Sequence, residues 1–89
     1  MTLNDIALST QDRVADIVLD LLARRSVDKQ VLPGHDLRES GLTSLDMVNL
    51  MLAVEAEFDL RIPEAQMTPQ NFRTIATIDA LVGALLRDR

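Results

Sequence analysis

The sequence predicts an all-α fold: a four-helix bundle with three main helices, a short third helix and a long loop between helices 1 and 2. Three observations carry this. Apolar residues recur at helical spacing in three separate segments. The apolar content is Leu, Ala, Val, Ile and Met, with two Phe and neither Trp nor Tyr, which suits helices packed on helices. Turn-forming residues gather between the periodic segments, at Pro33-Gly34, Gly41, Pro63 and Pro69. With 89 residues the chain reads as one domain, 1–89.

In the first helix Val14, Ile17, Val18, Leu21 and Leu22 form one apolar stripe. Thr10 is placed as its N-cap, with Asp12 in the first turn and Arg24 and Arg25 at the C-terminal end, where cations favour the helix dipole. Residues 1–9 read either as an extension of this helix or as a loose arm. Periodicity then stops over 26–43, which reads as a long ordered loop, with Val31, Leu32, Leu37 and Leu42 available to pin it to the core.

The second helix is placed at 44–58. Thr43 is a good N-cap, and Asp46, three residues on, completes a capping-box pattern. Thr68-Pro69 reads as a cap followed by Pro at the first helical position, opening the short third helix through Phe72. Thr77 is placed as the cap of the last helix, which carries Ile78, Leu81, Val82, Leu85 and Leu86.

The second helix is apolar on two sides. At about 100° per residue, Met47, Leu50, Met51, Val54 and Phe58 cluster on one face. Leu45, Val48, Leu52 and Ala56 cluster nearly opposite, with Asp46 and Glu57 along one border and Glu55 along the other. Either neighbouring helices bury both stripes, or the second stripe is exposed and meets a partner. Ser44 favours the second reading. Its hydroxyl opens this helix beside the second stripe, where backbone N–H groups stabilise an anion such as a phosphate ester.

Composition excludes several function classes. Without Cys there is no disulfide, thiolate nucleophile or Cys-bound zinc. Two aromatic rings are too few for a base-stacking platform, and a net charge of −5 repels nucleic acid and anionic lipid. That charge favours basic protein partners, or simply keeps a small protein in solution. No apolar run reaches the length of a membrane span, and MTLNDIALSTQD lacks a basic leader region, so a cytoplasmic location is expected. His35 is the sole histidine and reads as a surface or capping residue, with no second His or Cys for a metal. No convergent acid–base groups appear, so the chain is not expected to be an enzyme.

GLTSLDMVNLMLAVEAEFDLRIP resembles the prosthetic-group segment of acyl carrier proteins and related phosphopantetheine-binding carriers. Gly41, Leu42, Ser44, Leu45, Asp46, Val48, Leu50, Glu57, Phe58, Ile62 and Pro63 match that pattern in order. The helix order resembles the family over nearly the whole chain. Two departures stand out: Thr43 replaces the family's Asp before the Ser, and Asn49 and Ala56 stand where many fatty-acid carriers have Glu. The segment 50–81 looks closer to stand-alone specialised carriers, including small aminoacyl carriers and those of polyketide or nonribosomal peptide pathways.

The resemblance implies a monomeric, non-catalytic carrier with a bundle of acyl-carrier type. Ser44 would bear 4′-phosphopantetheine, taken from coenzyme A by a phosphopantetheinyl transferase. The arm would hold acyl or aminoacyl groups as thioesters. Partners would be a loading ligase and downstream acyl-processing enzymes, recognised through Leu45, Asp46, Val48, Leu52 and Glu55. The rival expectation is an unmodified helical adaptor that binds a protein helix through the same apolar stripe.

Overall fold

The computed structural model describes residues 9–25 and 30–88. Among the described residues three α-helices, α1 (Thr10–Arg24), α2 (Ser44–Phe58) and α3 (Ile75–Arg87), surround a shared apolar core, with a single 3-10 turn at Glu64–Gln66. Of the loose arm or extension expected at 1–9, residues 1–8 lie outside the described residues.

The stripe predicted for α1 is the one it buries. Val14, Val18, Leu21 and Leu22 face inward, and Ile17 is half-buried. Ser9, rather than Thr10, is the N-cap. Its Oγ accepts the Asp12 N–H at 3.1 Å, and the Asp12 carboxylate accepts the Ser9 N–H at 3.3 Å. Asp12 stands three residues after Ser9, the capping-box spacing, whereas Thr10 has Arg13 at that place.

α2 begins and ends where expected. Leu50, Val54 and Phe58 are buried, with Met47 and Met51 packed partly against them. Asp59 closes the helix in the left-handed region, at φ 49°. Arg13 ties α1 to this end. Its Nε donates to Glu57 Oε2 at 2.8 Å, its Nη2 donates to the Glu57 carbonyl, and its guanidinium lies 4.4 Å from the Phe58 ring centre.

The short third helix is not at 68–72. The helical turn sits earlier, at 64–66, closed by Gln66 N–H to the Pro63 carbonyl and Met67 N–H to the Glu64 carbonyl. Thr68 does cap a turn: its Oγ1 accepts the Asn71 N–H at 3.2 Å. Asn71 Nδ2 then donates back to the Gln66 carbonyl, and Phe72 is fully buried. The turn goes no further as a helix. α3 starts three residues earlier than expected, with Thr74 as N-cap and Thr77 as its capping-box partner. Ile78, Leu81 and Val82 are buried, and Leu85 and Leu86 half-buried.

The described part of the α1–α2 loop, 30–43, is ordered by its own contacts. Leu37 and Leu42 are buried, and Val31 packs partly on the core. Leu32, expected as a third pin, is instead 49 % exposed. Its backbone is used in a turn, donating to His35 Nδ1 and accepting the His35 N–H, which is the capping role expected of His35. Two backbone bonds fasten the loop to the entrance of α3: Leu37 N–H to the Arg73 carbonyl, and Ala76 N–H to the Pro33 carbonyl.

Candidate functional site at the start of α2

The site is the N-terminus of α2, where the loop delivers Ser44 to the surface. Gly41, at φ 124°, occupies a backbone region that side chains disfavour, and so lets the loop turn into the helix. Leu42 is buried behind it. Ser44 is exposed, and its Oγ makes no hydrogen bond to any described residue.

The capping box around it is complete. Thr43 Oγ1 accepts the Asp46 N–H at 3.2 Å, and Asp46 Oδ2 accepts the Thr43 N–H at 2.8 Å. The Thr43 hydroxyl also donates to Asp46 Oδ2, at 3.0 Å. A helix leaves its first N–H groups without intrahelical partners. Here those of Thr43 and Asp46 are satisfied by the box, while those of Ser44 and Leu45 have no partner among the described residues. Two amide donors at the positive end of the α2 dipole therefore lie beside the Ser44 hydroxyl. That environment suits a phosphate ester on Oγ.

Arg25 completes the cluster and was not foreseen as part of it. It is the C-cap of α1, and its guanidinium crosses to α2, with Nε on Asp46 Oδ2 and Nη2 donating to Thr43 Oγ1 at 3.3 Å. The Arg25 hydrogen bond, helped by the Thr43 N–H, holds the Asp46 carboxyl below the usual carboxylate range against the opposing effect of burial. At the end of a helix a basic residue reads from sequence as a dipole charge, and nothing local signals a contact across 21 positions. Arg24 keeps the simpler role, paired with Asp20 one turn back.

The second stripe is exposed: Leu45 by 66 %, Val48 by 51 % and Leu52 by 58 %. Asp46 and Glu55, expected beside it, turn their carboxylates into the fold. Asp46 is 5 % exposed, and Glu55 Oε2 accepts the Ile62 N–H at 2.8 Å, fixing the chain after α2. On the other side of Ser44 an open groove runs between α2 and the segment 67–73, floored by Met47, Met51 and Met67, with Arg38 and Gln70 at its lip. Asp36 braces that lip. Its carboxylate accepts the Glu39 and Arg38 N–H groups and pairs with Arg73, which together hold it below its ordinary pKa.

Among the described residues there is no group of three or more metal-ligating side chains, and no helix long and apolar enough to cross a membrane. A family model described as "Phosphopantetheine attachment site" matches residues 12–85. Aminoacyl carrier protein 1 of Bradyrhizobium diazoefficiens is 43 % identical over 77 residues, covering 86 % of each chain. Aminoacyl carrier protein 2 of the same organism is 38 % identical over 80 residues, covering 90 % of each. Among solved structures, a glycylated carrier protein bound to Bradyrhizobium japonicum glycine:[carrier protein] ligase superposes with a TM-score of 0.76 at 39 % identity, over 81 % of this chain and 96 % of that one. The same pair with an analogue of glycyl adenylate gives 0.78, over 84 % and 96 %.

Proposed function

We propose that Ser44 is the residue that bears the prosthetic group, since the chain belongs to the phosphopantetheine-attachment family of carrier proteins. It is a carrier that works through covalent 4′-phosphopantetheine and is not itself catalytic. When bound, that group supplies a terminal thiol on which an acyl group is held as a thioester, which accounts for a working protein without Cys. The observation that supports Ser44 is its place: an exposed, unbonded hydroxyl at the first position of α2, beside two unpartnered amide donors. Thr43, Asp46 and Arg25 hold that helix start in position, and Gly41 and Leu42 set the loop that presents it.

We take the cargo to be an amino acid. The support is the aminoacyl carrier relatives and the glycylated carrier among the solved structures. The partners then are a phosphopantetheinyl transferase, an amino-acid-activating ligase and the enzymes that take the aminoacyl group onward, all in the cytoplasm. The recognition face is the exposed ridge of Leu45, Val48 and Leu52. Asp46 and Glu55 serve it indirectly, by fixing the two ends of the helix that carries it.

Intact-mass spectrometry after incubation with coenzyme A and a broad-specificity transferase tests this reading. The expected result is one phosphopantetheine adduct on the wild-type chain and none on Ser44→Ala. An adduct that survives Ser44→Ala, or its absence from a folded wild-type chain, refutes it.

A further inference from the structure

Among the described residues, three guanidinium groups stand around the start of α2, in a chain whose net charge is −5. Two of them already hold carboxylates. Arg25 is bonded to Asp46, and Arg73 Nε donates to Asp36 Oδ2 at 3.2 Å. Arg38 is the third. It lines the groove beside Ser44, and its exposed side chain has no hydrogen bond or ion pair among the described residues. Glu39 lines the same groove without pairing to it. The Asp36 carboxylate is taken up by Arg73 and two backbone N–H groups.

The backbone of Arg38 is nevertheless fixed. Its N–H donates to Asp36 Oδ1 at 2.9 Å, and its carbonyl accepts the Gly41 N–H at 3.2 Å. Leu37, just before it, is buried, donates its N–H to the Arg73 carbonyl and accepts the Leu42 N–H. A side chain that makes no bond within the fold therefore stands on a firmly braced backbone, in the groove that Ser44 shares.

We propose that Arg38 binds the phosphodiester of the arm attached at Ser44, sharing it with the free N–H groups of Ser44 and Leu45. The proposal rests on the carrier reading above. The phosphodiester adds a further negative charge to an acidic chain, and a guanidinium is the side chain whose fork of donors matches two phosphate oxygens. The charge that the arm brings is thus compensated within the carrier itself. The contact also draws the first atoms of the arm to the groove side of Ser44.

The test follows two NMR signals of the full chain, the Arg38 Nε–H resonance and the phosphorus resonance of the arm. Spectra are taken before and after incubation with coenzyme A and a broad-specificity transferase. Attachment should shift the Arg38 signal and leave in place that of Arg61, which lines a hollow near the far end of α2. Arg38→Gln should move the phosphorus resonance towards its position in the urea-unfolded chain, and Arg38→Lys less far, since an ammonium keeps the charge without the fork. The Tm of Arg38→Gln before attachment should stay close to wild type, because no bond of the fold is lost. Exposed ion pairs are weak and screened, so the Arg38 shift should shrink as salt rises from about 0.1 M to about 1 M. An Arg38 signal indifferent to the arm overturns the proposal, as does a phosphorus resonance indifferent to Arg38→Gln. So does an Arg38 signal that answers free coenzyme A added to Ser44→Ala but not the attached arm, which makes the incoming reagent the ligand. A chain that never gains the arm refutes the carrier reading and this contact with it, whereas a chain that gains the arm with Arg38 unmoved refutes the contact alone.

Discussion

Leu50 and Leu52 stand two residues apart on α2 and face opposite ways, so one substitution made at both separates packing from presentation. Leu50 is fully buried and Leu52 is 58 % exposed. Leu→Ala changes helix propensity alike at the two sites, so that contribution cancels in the comparison. At Leu50 the loss is the transfer energy of the removed carbons plus the cavity they leave, about 3–5 kcal/mol. Full burial of a Leu is worth about 1.5–3 kcal/mol, and only about two-fifths of Leu52 is covered, so Leu52→Ala should cost about 1 kcal/mol or less. In a domain whose whole stability is on the order of 10 kcal/mol or less, that contrast is large. Urea unfolding followed by far-UV circular dichroism should place the Leu50→Ala midpoint far below wild type and the Leu52→Ala midpoint close to it, with unchanged slopes. Leu52→Ala should still weaken loading by the ligase. Equal losses of stability at the two positions would refute the assignment of the two faces.

Thr43→Ala removes the N-cap of α2 together with the hydroxyl that bonds Asp46 and Arg25, and should cost about 1 kcal/mol, read as a fall in Tm of about 4–8 °C. Asp46 and Asp36 are both held below the usual carboxylate range in the folded protein, so as pH falls the unfolded chain takes up their protons first. Stability should therefore be fully present above about pH 4 and decline below it, with Asp46→Asn flattening the decline; a urea midpoint that does not move in that range contradicts the buried pairing. Val54→Ala, at a fully buried position, should destabilise the fold by about 2 kcal/mol and leave the KM for loading unchanged, which steady-state kinetics on the folded fraction would check.

The parts of the fold that were legible in the sequence are those fixed by contacts within a few residues. Thr43 with Asp46 marked the start of α2, and the double stripe from Leu45 to Phe58 gave both its buried and its exposed faces. Two caps were misplaced: Thr10 was expected where Ser9 caps α1, and Thr77 where Thr74 caps α3. In each case the capping box selected the earlier residue, and at Thr74 the Leu37 bond to the Arg73 carbonyl also holds the preceding backbone. Thr68-Pro69 carried a true turn signal, and the Thr68 carbonyl accepts the Phe72 N–H, but the chain makes only that one turn and does not continue as a helix. Arg25 was illegible for a different reason. Its value lies in a contact 21 positions away, and no spacing rule reports on that. The exposure of Ser44 was legible; the burial of the Asp46 carboxylate behind it was not.

The strap that delivers Ser44 also limits how the chain can change length. Between Val31 and Thr43 the backbone is fastened at Pro33 to Ala76 and at Leu37 to Arg73, and the side chains of Leu37, Ser40 and Leu42 are buried. Tolerance to insertion follows burial and backbone bonding rather than the label of loop. One residue added or removed between Leu37 and Leu42 breaks the bond that joins them, or pulls one of the two from the core, and the hydroxyl then leaves the helix end that frames it. Across natural variants of this protein, gaps in this stretch should therefore be rarer than substitutions, even though no regular element occupies it.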